Sequence, residues 1–371
     1  MAELILGLFG VGLIAAAIAA NQRWLDRHFL PSFVVSRAWY LRIEIGVRVV
    51  TAGAGVTLLL IARRRGARML VDARGQMLRV AIAVALALVT GEVVLRRVNL
   101  RPAEWLLPAE EPRREPDAVL GWTLVPGRAG HLSIGRRTVE YAVNPLGYRA
   151  RLTTDAPDTS RPTIVFSGES IIFGEGLTFD ESIPEQTGEM LGVQTANLGV
   201  NGYSTDQAFL RVRQELPRFQ HPTAVVSIFM PVLFGRNLDD DRPHLGPGLT
   251  WMPAAKHPRL VSLARLFVPY RSDETISRGI SLTRDVLRAT ADLARARGAT
   301  PILIVPHAGP EDPLETDLRR RVLDEGHVPY VRVPLDEAWT VDQADRHPDA
   351  RGAKAIAAAI AATCASSTGC R

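Results

Sequence analysis

Two kinds of residue are scarce in this chain, and each scarcity narrows what it can be. Only two cysteines occur in 371 residues, Cys364 and Cys370, both at the extreme end. A disulfide-stapled scaffold is therefore excluded. No histidine or cysteine cluster surrounds them at ligand spacing, so a zinc site is not expected, and no motif asks for another metal or a cofactor. In an oxidising compartment the pair can close a small loop; otherwise they are two free thiols on a terminal tail, and the spacing leaves both open. Lysine is the second scarcity: Lys256 and Lys354 are the only two among 44 basic residues. The net charge of +5 is thus carried by arginine. Its densest groups adjoin apolar segments, where membrane topology places them. Aromatic residues make up 6% of the chain. They form no RNP-like motif, and there is neither zinc-finger spacing nor a basic helix with heptads, so no nucleic-acid partner is expected.

What the chain does have is apolar length, concentrated in its first hundred residues. Segments at about 4–20, 45–62 and 77–95 are each near the length that crosses a bilayer as a helix. They are apolar all round, not amphipathic, which argues against a soluble helical domain. Arg48 and Glu92 lie near segment ends, where long side chains can reach the interface. The leader MetAlaGlu lacks the positive region of a cleaved signal, so the first segment is kept as a helix. The short loop after the second segment holds Arg63, Arg64, Arg65, Arg68, Arg74 and Arg79, a denser group than Arg23, Arg27, Arg37 and Arg42 in the earlier loop. The denser loop belongs on the cytoplasmic side. Three spans then put everything after residue 100 outside, on a multi-pass protein of the inner membrane. A linker with short strands is expected over 101–160, and a catalytic domain over 161–371.

After Arg161 the pattern alternates. Apolar runs at 163–166, 195–198, 224–229, 302–305 and 330–333 read as buried strands. Helix-like segments at about 181–191, 205–216, 275–298 and 312–325 separate them. Such alternation predicts a parallel sheet with helices on both faces. Functional groups in that architecture collect at the carboxyl ends of the strands.

The first of these strands runs into Ser167-Gly168-Glu169-Ser170. A serine there, where a helix begins, has free backbone N–H groups beside it and suits a nucleophile. It is not the elbow of α/β-hydrolases, since Ile172 stands where that motif needs glycine. The second strand ends in Asn197-Leu198-Gly199-Val200-Asn201-Gly202, a turn in which backbone can approach a ligand closely. After the third comes Gly235-Arg236-Asn237, whose asparagine amide can donate to an oxyanion. The acidic run Asp239–Asp241 reads as a solvated loop. His347, in a loop with acidic neighbours before a helix, is the candidate base, and His307 at the end of the fourth strand is its rival. Trp251 and Tyr270 read as packing between the third strand and the long helix.

In this order, Gly168-Glu169-Ser170, Gly199-Val200-Asn201-Gly202, Gly235-Arg236-Asn237-Leu238 and Asp345-Arg346-His347-Pro348 resemble the four blocks of the SGNH (GDSL-like) hydrolase superfamily, across about 160–363. ValLeuGlyTrp (119–122) and AsnProLeuGlyTyrArg (144–149) look like the lead-in of its membrane-tethered members. The resemblance implies a flavodoxin-like three-layer α/β/α fold. It implies Ser170 as nucleophile and His347 as base. The oxyanion hole would be made by the N–H groups of Ser170 and Gly202 and the side chain of Asn237. Glu169 stands where the family has Asp, Leu238 where an Asp follows the asparagine, and Ala344 where the triad acid commonly lies. Asp345 is therefore the expected acid and Asp342 the reserve. The implied activity is removal of O-acyl groups from a glycan or lipid-linked sugar, at the lipid bilayer. Two alternatives stay open: acyl transfer to a surface polysaccharide, with a membrane protein supplying the acyl group, and a silent glycan-binding scaffold.

Overall fold

The computed structural model describes residues 2–30, 37–72, 74–97, 111–135, 137–267, 270–342, 346–366 and Cys370. The chain divides into two compact units: Met1–Pro102 with His257–Asp273, and Ala103–Lys256 with Glu274–Arg371.

The first unit is helical. Ala2–Ala19 is followed by Gln22–His28 at a bend of 78°. Arg37–Thr57 continues through a single π-turn, Leu58–Ala62, into Arg63–Asp72, and Arg74–Arg97 follows. Leu41–Arg68 and Leu78–Arg97 are long and apolar enough to cross a membrane, and the bent pair makes a third if it counts as one span. Their apolar side chains face outward; Val50 is 71% and Leu60 78% exposed, a surface suited to lipid and not to water. The first and second long helices cross where both lack a side chain. A Cβ on Gly55 would fall 2.7 Å from the Gly10 carbonyl, so only glycine permits this approach.

A late stretch of the chain completes this unit. The helix Arg259–Phe267 is capped by Glu92, whose two carboxylate oxygens accept from the N–H groups of Arg259 and Leu260, each at 2.9 Å. Tyr270 stacks on Trp24 and His28 with ring centroids 5.9 and 5.1 Å apart, and the Arg271 N–H donates to the His28 carbonyl. Tyr270 is thus not packing for the long helix, as the sequence suggested.

The second unit is built on strands: β1 (Arg114–Asp117), β2 (Gly121–Leu124), β3 (Ala129–Ile134), β4 (Arg137–Val143), β5 (Arg149–Ala150), β6 (Thr163–Ser167), β7 (Gln194–Asn197), β8 (Pro222–Ile228), β9 (His244–Leu245), β10 (Trp251–Met252), β11 (Thr300–Ala308) and β12 (Val331–Leu335). β1 pairs with β2 and β9 with β10 as small antiparallel hairpins. The other eight form one sheet in the order β12-β11-β8-β6-β7-β5-β4-β3. Its β12-β11-β8-β6-β7 part is parallel, and the order matches the doubly wound flavodoxin arrangement. The lead-in strands β3, β4 and β5 are antiparallel and extend this sheet past β7, joined through Arg149 opposite Asn197. The sheet is therefore mixed, not purely parallel.

Alternation along the strands fills a core on each face. Val165, Ala196 and Val225 point to one side with Phe209 and Val212 of helix Thr205–Glu215 and Val286 of helix Asp273–Ala296. Ile164, Phe166, Val226 and Ile304 point to the other with Ile183 of helix Ile183–Leu191 and Ile356 and Ile360 of helix Ala350–Ser366. All are nearly free of solvent. This gives three layers, with helices on both faces. Cys364 and Cys370 are joined in a disulfide that closes the end of the last helix.

Candidate active site

β6 lies between β8 and β7, so the connection leaving β6 runs to β7 on one side while that leaving β8 runs toward β11 on the other. That is the switch point at which sheets of this order leave a crevice. Ser170 sits there, at the start of the one-turn helix Ser170–Phe173. Glu169 caps the helix: its Oε2 accepts from the Ile171 N–H at 3.0 Å. The same oxygen accepts from the Ser170 hydroxyl at 2.8 Å.

His347 comes from the opposite end of the sequence. The Val341 N–H donates to the His347 carbonyl at 2.9 Å and Thr340 bridges Pro348, closing the loop that presents the ring. Nε2 of His347 lies 2.7 Å from Ser170 Oγ, and both residues are buried. Glu175 Oε2 lies 3.6 Å from the same nitrogen and accepts from the Asn201 amide. Glu175 therefore stands on the serine side of the imidazole. Asp345, the expected acid, lies outside the described residues. The reserve, Asp342, turns its carboxylate to the β3–β4 turn, where Oδ2 is 2.2 Å from the position a Cβ on Gly135 would take. His307, the rival base, is hydrogen-bonded through Nδ1 to the Gly309 carbonyl at 3.0 Å and makes no hydrogen bond to Ser170.

The glycine block closes over this pair. A Cβ on Gly199 would fall 2.4 Å from the Phe173 N, so any other residue would drive the Ser170 helix away. Asn197 ties the two together, its Nδ2 donating to the Ile172 carbonyl at 3.0 Å while Oδ1 accepts from the Gly199 N–H at 3.0 Å. Gly202 has φ of +82°, which turns the loop back. Among the described residues, neither the Ser170 nor the Gly202 N–H donates a hydrogen bond. Asn237 is committed elsewhere: Oδ1 accepts from the Thr205 N–H at 2.9 Å, and Nδ2 donates to the hydroxyls of Thr205 and Thr283 at 3.0 and 2.9 Å.

Sequence reasoning missed the residues that hold these loops. Trp122 of the lead-in donates from Nε1 to the Asn201 carbonyl at 3.1 Å, and its own carbonyl accepts from the Tyr203 hydroxyl at 2.7 Å. Burial pushes that tyrosine up to about 12. Arg149 is fully enclosed and reaches the carbonyls of Phe173, Gly174 and Leu177, at 2.6 Å for Gly174, fixing the turn that carries Glu175. Without a carboxylate partner among these contacts, burial pulls its guanidinium down to about 10. The signal was present in AsnProLeuGlyTyrArg but identified a lead-in, not its task.

A three-layer α/β/α unit with a serine and a histidine in contact at the carboxyl edge of its sheet has the layout of a serine hydrolase. No family model and no curated protein matches the chain. Among solved structures, it resembles a lipolytic protein of the G-D-S-L family from Desulfitobacterium hafniense at 12% identity, over 54% of this chain and 98% of that one, with a TM-score of 0.32. An acetyl xylan esterase from Butyrivibrio proteoclasticus matches at 11% identity, over 57% and 65% of the two chains, TM-score 0.32. A GDSL-like lipase from Bacteroides thetaiotaomicron matches at 15%, over 56% and 90%, TM-score 0.32. These are the kind of protein that the four sequence blocks resemble. At such scores the likeness says nothing of activity, and the site's chemistry is read from its own atoms.

Proposed function

We propose that the protein is a membrane-anchored serine esterase that removes acyl groups, acetyl foremost, from the hydroxyls of a glycan or lipid-linked sugar outside the cytoplasm. The contact between Ser170 Oγ and His347 Nε2, 2.7 Å and buried, carries this reading. The hydroxyl turns from Glu169 to His347, passes its proton to Nε2, and Ser170 Oγ bonds to the ester carbon. The carbonyl π electrons move to its oxygen, which the N–H groups of Ser170 and Gly202 receive. Collapse breaks the bond to the sugar oxygen, which takes the proton from His347. Water then releases the acyl group by the same steps in reverse. Asp345 is proposed as the acid that partners His347. The arginine-rich stretch between the apolar runs, helical over Arg63–Asp72, and the Cys364–Cys370 disulfide support a site in an oxidising, extracytoplasmic compartment. The lead-in resemblance supports a glycan.

The apolar helices favour a second reading, in which a sugar hydroxyl replaces water and a separate membrane protein delivers the acyl group. The test of both is to label detergent-solubilised protein with a fluorophosphonate probe beside Ser170→Ala and His347→Ala. Labelling of the wild type alone is expected. Free acetate from an acetylated oligosaccharide then marks the esterase, and acetyl gained by an acceptor sugar marks the transferase. A folded wild type that takes no probe overturns both and leaves a glycan-binding scaffold.

A further inference from the structure

Glu175 is set against the nitrogen that receives the serine proton. Its Oε2 lies 3.6 Å from Nε2 of His347, which meets Ser170 Oγ at 2.7 Å. Neither side chain is sealed from solvent, Glu175 being 20% and His347 11% exposed. They line one narrow recess together with Ile171, Leu177, Ile183 and Pro348, none of which carries charge. Two braces keep the carboxylate in place. The Asn201 amide donates to Oε2, and Arg149 donates to the Gly174 carbonyl at 2.6 Å, which fixes the residue before Glu175. Of the other charged groups around the ring, Glu169 is engaged by the Ser170 hydroxyl, Asp342 faces the β3–β4 turn, Asp349 pairs with Arg351 at 2.6 Å, and Arg346 is exposed. On the two helices packed against the recess, Glu185 pairs with Arg151 at 3.1 Å and Lys354 is exposed. The loop after β8 adds the charge of Arg236, which acts on Glu169 and Glu175. Asp345 is the acid proposed above.

When Ser170 attacks, its proton moves to Nε2 and the ring becomes a cation. A carboxylate within about 4–6 Å favours that charged form. At 3.6 Å, Oε2 is beyond good hydrogen-bond length, so it lends its charge without drawing Nε2 from the serine. We propose that Glu175 is a positioning residue of the reaction, whose carboxylate stabilises the His347 imidazolium from the Nε2 side while the serine attacks. The proton stays on Nε2 until the sugar oxygen takes it, and Glu175 stays charged throughout. This rests on Ser170 as nucleophile and His347 as base. The rival role for Glu175 is a brace alone, tying the turn after Ser170 to the glycine block through Asn201. Glutamine separates the two, because its carbonyl oxygen can still accept from the Asn201 amide while the charge is gone.

The test follows the rate of fluorophosphonate labelling of the full chain in detergent from about pH 5 to about pH 9, which spans the ordinary histidine range. Glu175→Gln is expected to move the acid limb down by about one pH unit and to lower the plateau about tenfold, while meeting the wild type at the acid end. Formate added to Glu175→Ala should move the limb back up where chloride does not, and this arm decides if Glu175→Gln does not fold. The proposal is overturned if Glu175→Gln labels at the wild-type rate, or slows equally at every pH as a lost brace would, or if formate acts no differently from chloride. A labelled wild type whose limb Glu175→Gln leaves in place sinks this inference alone. A folded wild type that takes no probe at any pH sinks the nucleophile with it.

Discussion

Asp241 lies in the loop after β8, and its neighbours Asp239 and Asp240 are half-buried with it, so the run is not the solvated loop that its composition suggested. Burial first, then the charge of Asp239, push the Asp241 carboxyl above the ordinary aspartate range. The folded chain therefore binds that proton more tightly than the unfolded one. Stability falls as pH rises from the ordinary aspartate range through the raised value, and stays lower above it. Asp241→Asn should raise the melting temperature at pH 7, and the gain should disappear once pH drops below the ordinary range. An unchanged melting temperature at pH 7 would mean that the carboxylate is compensated when charged. Single residues also mark how far the sequence could be read. Ser170 and His347 were named from it because few side chains can serve as nucleophile and base, and each sat at a strand end or in a loop. Arg149 was not, because one arginine among many looks ordinary until its burial is known. Likewise, Asn237 was assigned by its place in a block, while its hydrogen bonds depend on Thr283, far along the chain.

Among the elements, the one-turn helix Ser170–Phe173 is too short to hold its own position. Glu169 caps its start, Asn197 and Arg149 take its last carbonyls, and Gly199 lets the second block press against it. Arg149→Met would leave the Leu177 carbonyl short of a donor, while Asn197 still reaches the Phe173 carbonyl and the Leu177 N–H still reaches that of Gly174. A loss of about 1–3 kcal/mol follows, the cost of one unsatisfied buried group. Denaturant unfolding would register it, and an effect near zero would show that the turn closes over the gap. The five parallel strands and the helices between them were legible because buried β-branched runs and longer amphipathic stretches differ in period and length. The union of β3, β4 and β5 with the main sheet was not. It depends on the contact of two-residue β5 with β7 through Arg149 opposite Asn197, and no periodicity announces so short a pairing. Trp251, expected as packing, is 40% exposed on β10 and anchored by its Nε1 to the Val119 carbonyl at 3.1 Å.

For the whole molecule, the division into units does not follow the order of the chain. The polypeptide passes between them near residue 102, again after Lys256, and again after Asp273. Removing residues 1–110 should therefore leave the sheet unit still carrying 257–273, with the apolar face of helix Arg259–Phe267 and the Tyr270 ring stripped of partners, and it should stay in solution only with detergent. Deleting 257–273 as well, across a Gly-Ser linker, should give a soluble, monodisperse protein that still takes a fluorophosphonate. Equal solubility of the two on size-exclusion chromatography would show that the late segment holds nothing in the helical unit. The same arrangement sets a schedule for biosynthesis. Glu92 leaves the ribosome long before the N–H groups that it caps, which follow 167 and 168 residues later. The helical unit therefore cannot finish folding until β1 to β10 have been made, and a ribosome stalled anywhere in that interval would leave both units incomplete.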